Sequence, residues 1–406
     1  MNSRQILFKD FITLQRGFDL PNQSRELGQI PIIASTGICG YHNQSKVKAP
    51  GVVTGRSGSL GAVQYLNVDF WPLNTSLWVK DFKGNLPKYV YYYLKTMKLD
   101  QFNSGAGVPT LNRNDLDAVV VRLHDNQSQE KITEILSAYD DLIENNSRRI
   151  AILEEMAQRL YREWFVHFRF PGHKGTNMVE SDMGLIPENW TISSPQNVSD
   201  YYIGGGWGKD IRSNGLVPAY VVRGTDIPQA KRNDIAGCPL RYHTKSNFQS
   251  RVLKDGDIVI EVSGGSKGQP VGRALLITDE LLNSFDHNAI CASFCKLFRC
   301  NKNISSYYFY MWLQEIYENR EIEKYQSQST GIINFQFEYF LYNATLLVPP
   351  KALQEKFELF CGTLFRQINI LGAKNTNLRK TRDLLLPRLI SGDIDVSELP
   401  ISEKED

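Results

Sequence analysis

The sequence predicts an α+β protein in which one arrangement, a strand-rich globule followed by a long helix, occurs twice. Two long helical segments share one heptad pattern and lie 225 residues apart. The segment upstream of each contains short apolar runs broken by Gly/Ser turns, which is typical of strands, and one further helical stretch, at residues 87–97 and 305–323. We therefore expect two copies of one unit, related by pseudo-twofold internal symmetry.

The two long helical segments begin with matching residues. Gln129-Glu-Lys-Ile132 corresponds to Gln354-Glu-Lys-Phe357, and mostly apolar residues then recur at alternating steps of four and three. The first series is Ile132, Leu136, Tyr139, Ile143, Asn146, Ile150, Leu153, Ala157, Leu160 and Trp164; the second is Phe357, Cys361, Leu364, Ile368, Leu371, Asn375, Leu378, Arg382, Leu385 and Leu389. Because this spacing persists over more than four heptads, it predicts an intramolecular antiparallel coiled coil rather than two unrelated amphipathic helices.

Interruptions in the two helices bear on their register and length. Polar residues at Asn146, Asn375 and Arg382 commonly fix register in such pairs. Gly362 and Gly372 each lower the stability of the second helix modestly. We expect this helix to stop at Pro387. A helix of about 38 residues is about 57 Å long and would be a rigid spacer.

These patterns divide the chain into six segments. They are a globular domain at 1–126, a first spacer helix at 127–170, a linker at 171–187, a second globular domain at 188–350, a second spacer helix at 351–391, and a C-terminal tail at 392–406. Strand-like runs at 118–123 and 344–348 precede the two spacer helices.

Composition indicates an ordinary globular chain. The 406 residues are 42% hydrophobic and 22% charged, and the first ten residues lack the apolar core of a secretory signal. The apolar runs are too short to span a bilayer and six cysteines are too few for a disulfide scaffold, so we expect a cytoplasmic protein without membrane contact. Residues 1–126 hold 14 Lys and Arg against 9 Asp and Glu, a modest basic excess of +5.

One cysteine cluster invites a zinc site, at His287, Cys291, Cys295 and Cys300. Residues 288–298 resemble one buried strand, along which four residues cover about 13 Å. Because that distance is too long for Cys291 and Cys295 to share an ion, we predict structural cysteines and no metal site.

Three segments of the sequence resemble parts of the specificity subunit of type I restriction-modification systems. They are the helix from residue 129 to Trp164-Phe165, the domain opening at 183–190, and the ending at 384–395. Their order, together with the duplication, makes the resemblance specific and extends it over most of the chain. Gly362, Gly372 and the Leu386-Pro387 end depart from the first helix, which puts the length of the second helix in doubt.

The resemblance implies a DNA-reading role without catalysis. Two target-recognition domains would each read half of a bipartite site in double-stranded DNA, and the helices would set the spacing and bind two methyltransferase (modification) subunits. Restriction/translocase subunits would complete the enzyme. This chain would need no cofactor, since S-adenosylmethionine, ATP and Mg²⁺ would serve its partners.

Candidate catalytic motifs are incomplete. Pro349-Pro350 lacks the Asn/Asp and aromatic residues of an adenine methyltransferase loop, and residues 204–209 lack the first Gly and the Ser/Thr of a phosphate loop. Asp69 and Asp81 have no supporting Glu or His for a nuclease and are better explained as surface charge. A self-sufficient methyltransferase or nuclease, and a protein-binding adaptor that never touches DNA, remain the rival hypotheses.

Paired Gly-rich turns contain the best candidates for DNA contact. Each turn follows an apolar strand, and its hydroxyl, amide and basic groups could reach phosphates or base edges. These candidates are Arg56, Ser57 and Ser59 in the first globule, and Ser263, Ser266, Lys267 and Gln269 in the second. A plain surface hairpin is the alternative for each residue.

A second pair of loops contributes Asn, Gln and Thr side chains that could contact adenine. Its candidates are Thr110, Asn112, Arg113, Asn334 and Gln336, and weaker ones elsewhere are Asn74, Thr75, Arg223, Thr225 and Asn288. Thr110 or Asn112 could instead cap a short helix at Asp115. We predict that the aromatic run from Tyr89 to Tyr93 packs in the core rather than against bases.

Overall fold

The computed structural model describes residues 2–264, 268–329 and 332–399, and contacts divide the chain into two compact units. The first unit comprises Met1–Leu142 and Leu378–Asp406, and the second comprises Ile143–Asn377. Each unit mixes helices and strands, as the predicted α+β class requires. Within the described ranges, no helix combines the length and apolar character that a membrane crossing needs.

The first unit is built on two small sheets. Its strands are β1 (Ser3–Leu7), β2 (Thr13–Arg16), β3 (Ile30–Ala34), β4 (Gly37–His42), β5 (Gly51–Gly55), β6 (Val63–Leu66), β7 (Trp71–Pro72), β8 (Ser76–Asp81) and β9 (Val120–His124). Its shorter helices are α1 (Phe8–Phe11) and α2 (Pro87–Thr96). The strand order is β2-β8-β5-β6 in one sheet and β4-β3-β7 in the other, and β1 pairs with β9.

Helix α2 supplies much of the core of the first unit. It begins at Pro87, whose fixed φ suits a first helical position and whose missing N–H is not needed there. Tyr89 and Tyr92 are fully buried, and Phe11 packs against the Tyr89 and Tyr93 rings. The prediction that this aromatic run packs in the core is therefore confirmed.

The second unit contains more strands. They are β10 (Met178–Ser181), β11 (Gly184–Pro187), β12 (Thr191–Ser193), β13 (Ser199–Gly204), β14 (Leu216–Val222), β15 (Leu240–Thr244), β16 (Asp257–Glu261), β17 (Ser263–Gly264), β18 (Ala274–Leu276), β19 (Ala289–Cys291), β20 (Cys295–Cys300), β21 (Gln326–Ser329), β22 (Ile332–Phe335) and β23 (Leu346–Val348). Helix α3 (Asn126–Tyr161) precedes them and also provides residues to the first unit. The other helices are α4 (Ile227–Ala230), α5 (Lys245–Arg251), α6 (Asp279–Leu282), α7 (Ser306–Glu318), α8 (Phe337–Asn343) and α9 (Lys351–Ser391).

The two units order their sheets in the same way. The order β13-β20-β16-β18 matches β2-β8-β5-β6, and β15-β14-β19 matches β4-β3-β7, including the parallel pairing of the last two strands. Strands β12 and β23 pair as β1 and β9 do. The second unit adds the β10–β11 hairpin and the β17-β22-β21 sheet. The central strands β5 and β16 are buried along their whole length, so the loop after each is where its chain first becomes accessible.

The long helices differ from the expected bounds in two places. Helix α3 ends at Tyr161 and continues as a π-helical turn, Arg162–Val166. Helix α9 runs through Pro387 to Ser391, so the expectation that it stops at Pro387 is wrong. Leu386, Leu389 and Ile390 are buried in the core of the first unit. This packing favours the helical path beyond the proline despite the lost backbone hydrogen bond.

The two long helices contact each other within each unit. In the second unit Ile150 packs with Ile368 and Leu371, and Asn146 Nδ2 donates to Asn375 Oδ1 over 2.9 Å. In the first unit Ile132 and Leu136 share a cluster with Leu386 and Leu389, and Arg382 Nη1 lies 2.5 Å from Asp140 Oδ1. Residue numbers rise along one helix as they fall along the other, within both units.

The predicted strand at residues 288–298 is two strands. A tight turn, in which Cys295 N–H donates to Ala292 O over 2.8 Å, separates β19 from β20, and the strands belong to different sheets. The expectation of one continuous strand is therefore wrong, and so is the spacing argument made from it. Cys291 and Cys295 are buried, and burial raises the pKa of the Cys291 thiol to about 12. The described residues contain no group of three or more potential metal ligands.

Candidate nucleic-acid interface

Three predicted segments of the first unit meet at the end of β5. Arg56 and Ser57 donate their backbone N–H groups to Thr75 O over 2.9 and 3.1 Å. Ser57 forms a bridge with Thr110, and Leu111 N–H donates to Arg56 O over 2.8 Å. The Gly-rich turn therefore lies between the loop before β8 and the loop after α2. Candidates that are far apart in sequence share one surface.

Side-chain contacts order part of this surface. Arg56 Nη1 donates to Asn74 O over 3.3 Å, and the Asn74 amide donates to the carboxylate of Asp19. Within the described part of the chain, Thr75 Oγ1 is buried without a hydrogen-bond partner. Arg56 remains partly exposed, so its guanidinium is held near the surface. Its further N–H groups can donate hydrogen bonds to a ligand. The arrangement suits contact with an acceptor-rich ligand.

The remaining candidates of the first unit have mixed roles. Ser59 is exposed, and its carbonyl oxygen would lie 1.9 Å from a Cβ at residue 55, so the turn requires Gly55. Asn112 Oδ1 accepts from Asn114 N–H over 3.2 Å at the start of a 3-10 turn, which is the alternative capping role. Arg113 is exposed, but its Nη1 donates to Leu14 O over 3.2 Å.

Ser263 and Asn334 come together in the second unit. They are paired residues of β17 and β22, and Ser263 Oγ donates to Asn334 Oδ1 over 2.8 Å. Phe335 N–H donates to Val262 O over 2.9 Å, which repeats the bond from Leu111 to Arg56 in the first unit. Gln336 follows β22 and is exposed. Ser266 and Lys267 lie outside the described residues.

A cleft of about 770 Å³ opens beside this pair. Four predicted residues line it, and most of the others were not predicted from the sequence. Its lining residues are Trp207, Arg223, Gly224, Thr225, Glu261, Ser263, Gly264, Gln269, Arg273, Ala292, Ser293 and Phe294. Asn288 is exposed at the opposite end of β19 from the turn that carries Ser293 and Phe294, and it does not line the cleft.

The arginines that line the cleft are paired with carboxylates. Arg223 donates Nε and Nη2 to Asp226 over 2.9 and 2.8 Å, so its charge is largely satisfied and it is poorly placed to read guanine. Arg273 donates Nε and Nη2 to Glu261 over 2.8 and 2.6 Å, and this hydrogen bonding raises the pKa of Arg273. Glu261 is only 2% exposed, and Gly224 leaves room for its carboxylate.

The turn at Ser293-Phe294 is the counterpart of Asn74-Thr75. Val262 N–H donates to Phe294 O over 2.9 Å, as Arg56 N–H donates to Thr75 O. Ser293 and Phe294 were not predicted from the sequence, because no Gly or Pro marks this turn. Aligning the strands of the two globules through the whole repeat would have located it.

Known proteins similar to this chain are of the same kind that its three sequence segments resemble. Residues 7–155 match the family model described as the type I restriction modification DNA specificity domain. Over 365 residues the chain is 24% identical to the type I restriction enzyme MjaIX specificity subunit of Methanocaldococcus jannaschii, covering 84% of this chain and 77% of that protein. The MjaVIII specificity subunit of the same organism is 23% identical over 319 residues, covering 77% of this chain and 71% of that protein.

The fold also has a counterpart among solved structures. The crystal structure of a type I restriction-modification S subunit from M. genitalium covers 96% of this chain and 96% of its own, with a TM-score of 0.60 and 15% sequence identity. At that identity the similarity shows the fold alone. The resemblance found in the sequence is thereby confirmed: this chain is similar to type I restriction-modification specificity subunits, and its residues 7–155 match the model of their DNA specificity domain.

Proposed function

We propose that this chain is the DNA sequence-recognition subunit of a type I restriction-modification enzyme and has no catalytic activity of its own. The observation that carries the proposal is the equivalent loop cluster after β5 and after β16. In each unit, polar side chains from loops distant in sequence lie on one surface at the end of a buried strand. Such groups can contact base edges and phosphates, as sequence readout requires.

Two similar surfaces on one chain support a bipartite target. Each recognition domain, at 1–126 and 188–350, would read one half of the site. The residues proposed to contact DNA in the first domain are Arg56, Ser57, Ser59, Asn74, Thr75, Thr110, Asn112 and Arg113. In the second they are Thr225, Ser263, Ser266, Lys267, Gln269, Asn288, Asn334 and Gln336, with Arg223 acting only if its pairing with Asp226 opens.

The long helices would determine the spacing between the half-sites. The helix contacts within each unit support an antiparallel coiled coil formed by residues 127–170 and 351–391. Residues 171–187 would link the two repeats, and 392–406 would be the tail. A rigid helical pair suits a spacer because an α-helix rises about 1.5 Å per residue with little freedom to bend.

Partner subunits would supply the chemistry and act with this chain in the cytoplasm. Two methyltransferase subunits would modify adenine with S-adenosylmethionine, and restriction/translocase subunits would use ATP and Mg²⁺ to cleave DNA. The modest basic excess of residues 1–126 supports this division, because a protein that grips duplex DNA alone usually has a more basic face.

Methylome sequencing of cells that express this chain with the methyltransferase encoded beside its gene tests the proposal. We expect a bipartite adenine-methylated motif with a fixed spacer, which disappears when the chain is deleted. Replacing residues 1–126 with the corresponding domain of a relative should change one half of the motif only. A complex that assembles without chain-dependent methylation would support a protein adaptor instead, and methylation or cleavage by the isolated chain would refute the non-catalytic role.

A further inference from the structure

Phe294 is an apolar side chain held in an exposed position. It is 67% exposed, in the turn between β19 and β20. Cys295 N–H donates to Ala292 O over 2.8 Å, Val262 N–H donates to Phe294 O over 2.9 Å, and Gly205 N–H donates to Cys295 O over 3.0 Å. These three hydrogen bonds fix the backbone of the turn, which carries the ring at the surface.

The same turn in the first unit carries Thr75. There Ser76 N–H donates to Leu73 O over 2.9 Å, Arg56 N–H donates to Thr75 O over 2.9 Å, and Gly17 N–H donates to Ser76 O over 3.1 Å. The three hydrogen bonds correspond one to one, so Phe294 occupies the position of a residue already proposed to contact DNA. The two units thus differ at one equivalent point, where the Thr75 hydroxyl is buried in the first and the Phe294 ring is exposed in the second.

The cleft beside Phe294 has the character of a base site rather than a phosphate site. Both arginines that line it are engaged, Arg273 with Glu261 and Arg223 with Asp226. A phosphate needs cationic donors that are still available, whereas a nucleobase needs flat apolar walls and a few neutral hydrogen-bonding groups. Thr225, Ser263 and Gln269 provide such groups on the same lining.

Trp207 supplies a second aromatic wall. It is 41% exposed, it lines the cleft, and the Arg241 guanidinium lies 4.5 Å from its ring centroid. Arg241 is mostly buried and ion-paired with Asp210, so it can support the ring from behind. A ring backed by a guanidinium keeps its orientation and leaves the other face for a ligand.

We infer that Phe294 stacks on a nucleobase of the half-site read by the second unit, with Trp207 as a further aromatic contact in the same cleft. This inference rests on the proposed function and adds two base-contacting residues to it. Aromatic side chains gain contact with bases by stacking or by inserting at a base step, and both modes bury the exposed ring. The neighbouring Ser263 and Gln269 would then read the edge of the stacked base pair.

Equilibrium binding by the assembled complex tests the inference. The probe is a duplex carrying the motif that the wild-type complex methylates, and the proteins are wild type, Phe294→Ala, Phe294→Tyr, Trp207→Ala and Tyr342→Ala, each with its methyltransferase subunits. Tyr342 is the matched control, an aromatic residue 63% exposed on α8 that does not line the cleft.

We expect Phe294→Ala to weaken binding of the cognate duplex about ten-fold or more, Trp207→Ala to weaken it in the same direction, and the Phe294→Tyr and Tyr342→Ala variants to bind like wild type. The salt dependence of binding should stay unchanged in all variants, since no phosphate contact is removed. Base substitutions in the half-site read by the first unit should cost the same in wild type and in Phe294→Ala.

Several outcomes would overturn the inference. If Phe294→Ala binds like Tyr342→Ala while the wild-type complex has a defined motif, the base contact is refuted and the proposed function stands. A shallower salt dependence would indicate a phosphate contact instead. Loss of methyltransferase subunits from a normally folded Phe294→Ala chain would indicate a protein-docking residue. A wild-type complex without any cognate motif would refute both the inference and the proposed function.

Discussion

Gly362 and Gly372 are both glycines inside a long helix, but the structure gives them different surroundings. A Cβ at position 372 would lie 1.8 Å from Arg232 O, a backbone atom in the turn after α4. The same turn is tied to α9 by Asn233 Nδ2, which donates to Asn369 O over 3.1 Å. At position 362 the nearest atoms belong to the Tyr307 ring, at 3.8 Å. Only Gly372 is therefore required by a close backbone approach.

Alanine substitution at these two glycines should have opposite effects. Gly372→Ala should destabilise the second unit by about 1–3 kcal/mol, because the turn must move away from α9. Gly362→Ala should stabilise it by about 0.5–1 kcal/mol, since alanine favours helix and its methyl group meets ordinary contact distances. Thermal unfolding of the two single variants measures both effects, and equal shifts of the melting temperature would contradict the distinction.

His124 links the stability of the first unit to pH. Its ring is 2% exposed and Nε2 donates to Ile390 O over 2.9 Å, while Nδ1 is buried without a partner in the described residues. Burial lowers the pKa of His124, and the hydrogen bond to Ile390 opposes this only in part. The folded state therefore holds a neutral imidazole.

Acidification should cost stability through this histidine. The unfolded residue has a pKa of about 6.5, so as pH falls below about 6.5 the unfolded state gains a proton that the folded state takes up only at lower pH. The stabilisation is therefore fully present above about pH 6.5 and is lost as pH falls toward the lowered folded pKa. Thermal unfolding between pH 7.5 and 5.5 should show a smaller decline for His124→Gln than for wild type. An unchanged decline, equal to that of the exposed-site variant His287→Gln, would refute the assignment.

At the scale of elements, the paired asparagines show how polar side chains in an otherwise apolar helix–helix contact form hydrogen bonds. Asn146 Nδ2 donates to Asn375 Oδ1 over 2.9 Å, and Asn375 Nδ2 donates to Ser147 Oγ over 3.2 Å and to Ile143 O over 3.3 Å. Asn146 and Asn375 are 9% and 2% exposed. The Asn146 amide NH₂ group and both polar groups of Asn375 therefore have partners on the facing helix, which favours one register.

Removing one asparagine should cost more than removing both. Asn146→Leu should destabilise the second unit by about 1–3 kcal/mol, because Asn375 Oδ1 loses its donor while staying buried. The double variant Asn146→Leu, Asn375→Leu should recover most of that loss, since no buried polar group is left without a partner. Urea unfolding of the two singles and the double forms the cycle, and a double variant that loses the sum of the singles would contradict it.

The sequence predicted the long elements better than the short ones. Heptad spacing identified 351–391, which is the helix observed, but the local rule for proline placed its end four residues early. The buried side chains around Leu386 and Leu389 decide that end, and a sequence window does not contain them. In the same way, residues 288–298 are mostly small or apolar and include no Gly or Pro, so nothing local indicated the turn between β19 and β20.

The candidate interface was predictable where glycines mark turns. Arg56, Ser57 and Thr110 were chosen from separate loops, and the structure brings them together through backbone hydrogen bonds. Glu261 and Arg273, 12 residues apart, were missed because a buried carboxylate and its arginine have no characteristic spacing. Phe294 was missed because the sequence alone does not distinguish an exposed aromatic residue from one that is buried in the core.

At the scale of the whole molecule, the match between Gln129 and Gln354 acquires a structural reason. In the first unit Gln129 Oε1 accepts from Leu86 N–H over 3.0 Å, and Nε2 donates to His124 O over 2.9 Å. In the second unit Gln354 Oε1 accepts from Ser305 N–H over 2.7 Å, and Nε2 donates to Pro349 O over 2.8 Å. Both glutamines are 1% exposed. Each one joins the start of a long helix, α3 or α9, to the start of the shorter helix, α2 or α7, in its own unit.

Replacing these glutamines should therefore weaken the two units separately. Gln129→Met should accelerate amide hydrogen exchange at the start of α2, and Gln354→Met at the start of α7, because each leaves a buried or partly buried backbone N–H without its acceptor at a cost of about 1–3 kcal/mol. Hydrogen-exchange mass spectrometry of the full chain resolves both peptides in one experiment. The two glutamines share no partner, so the double variant should show the two local effects side by side. Faster exchange in both units after a single substitution would mean that the two units do not open independently of each other.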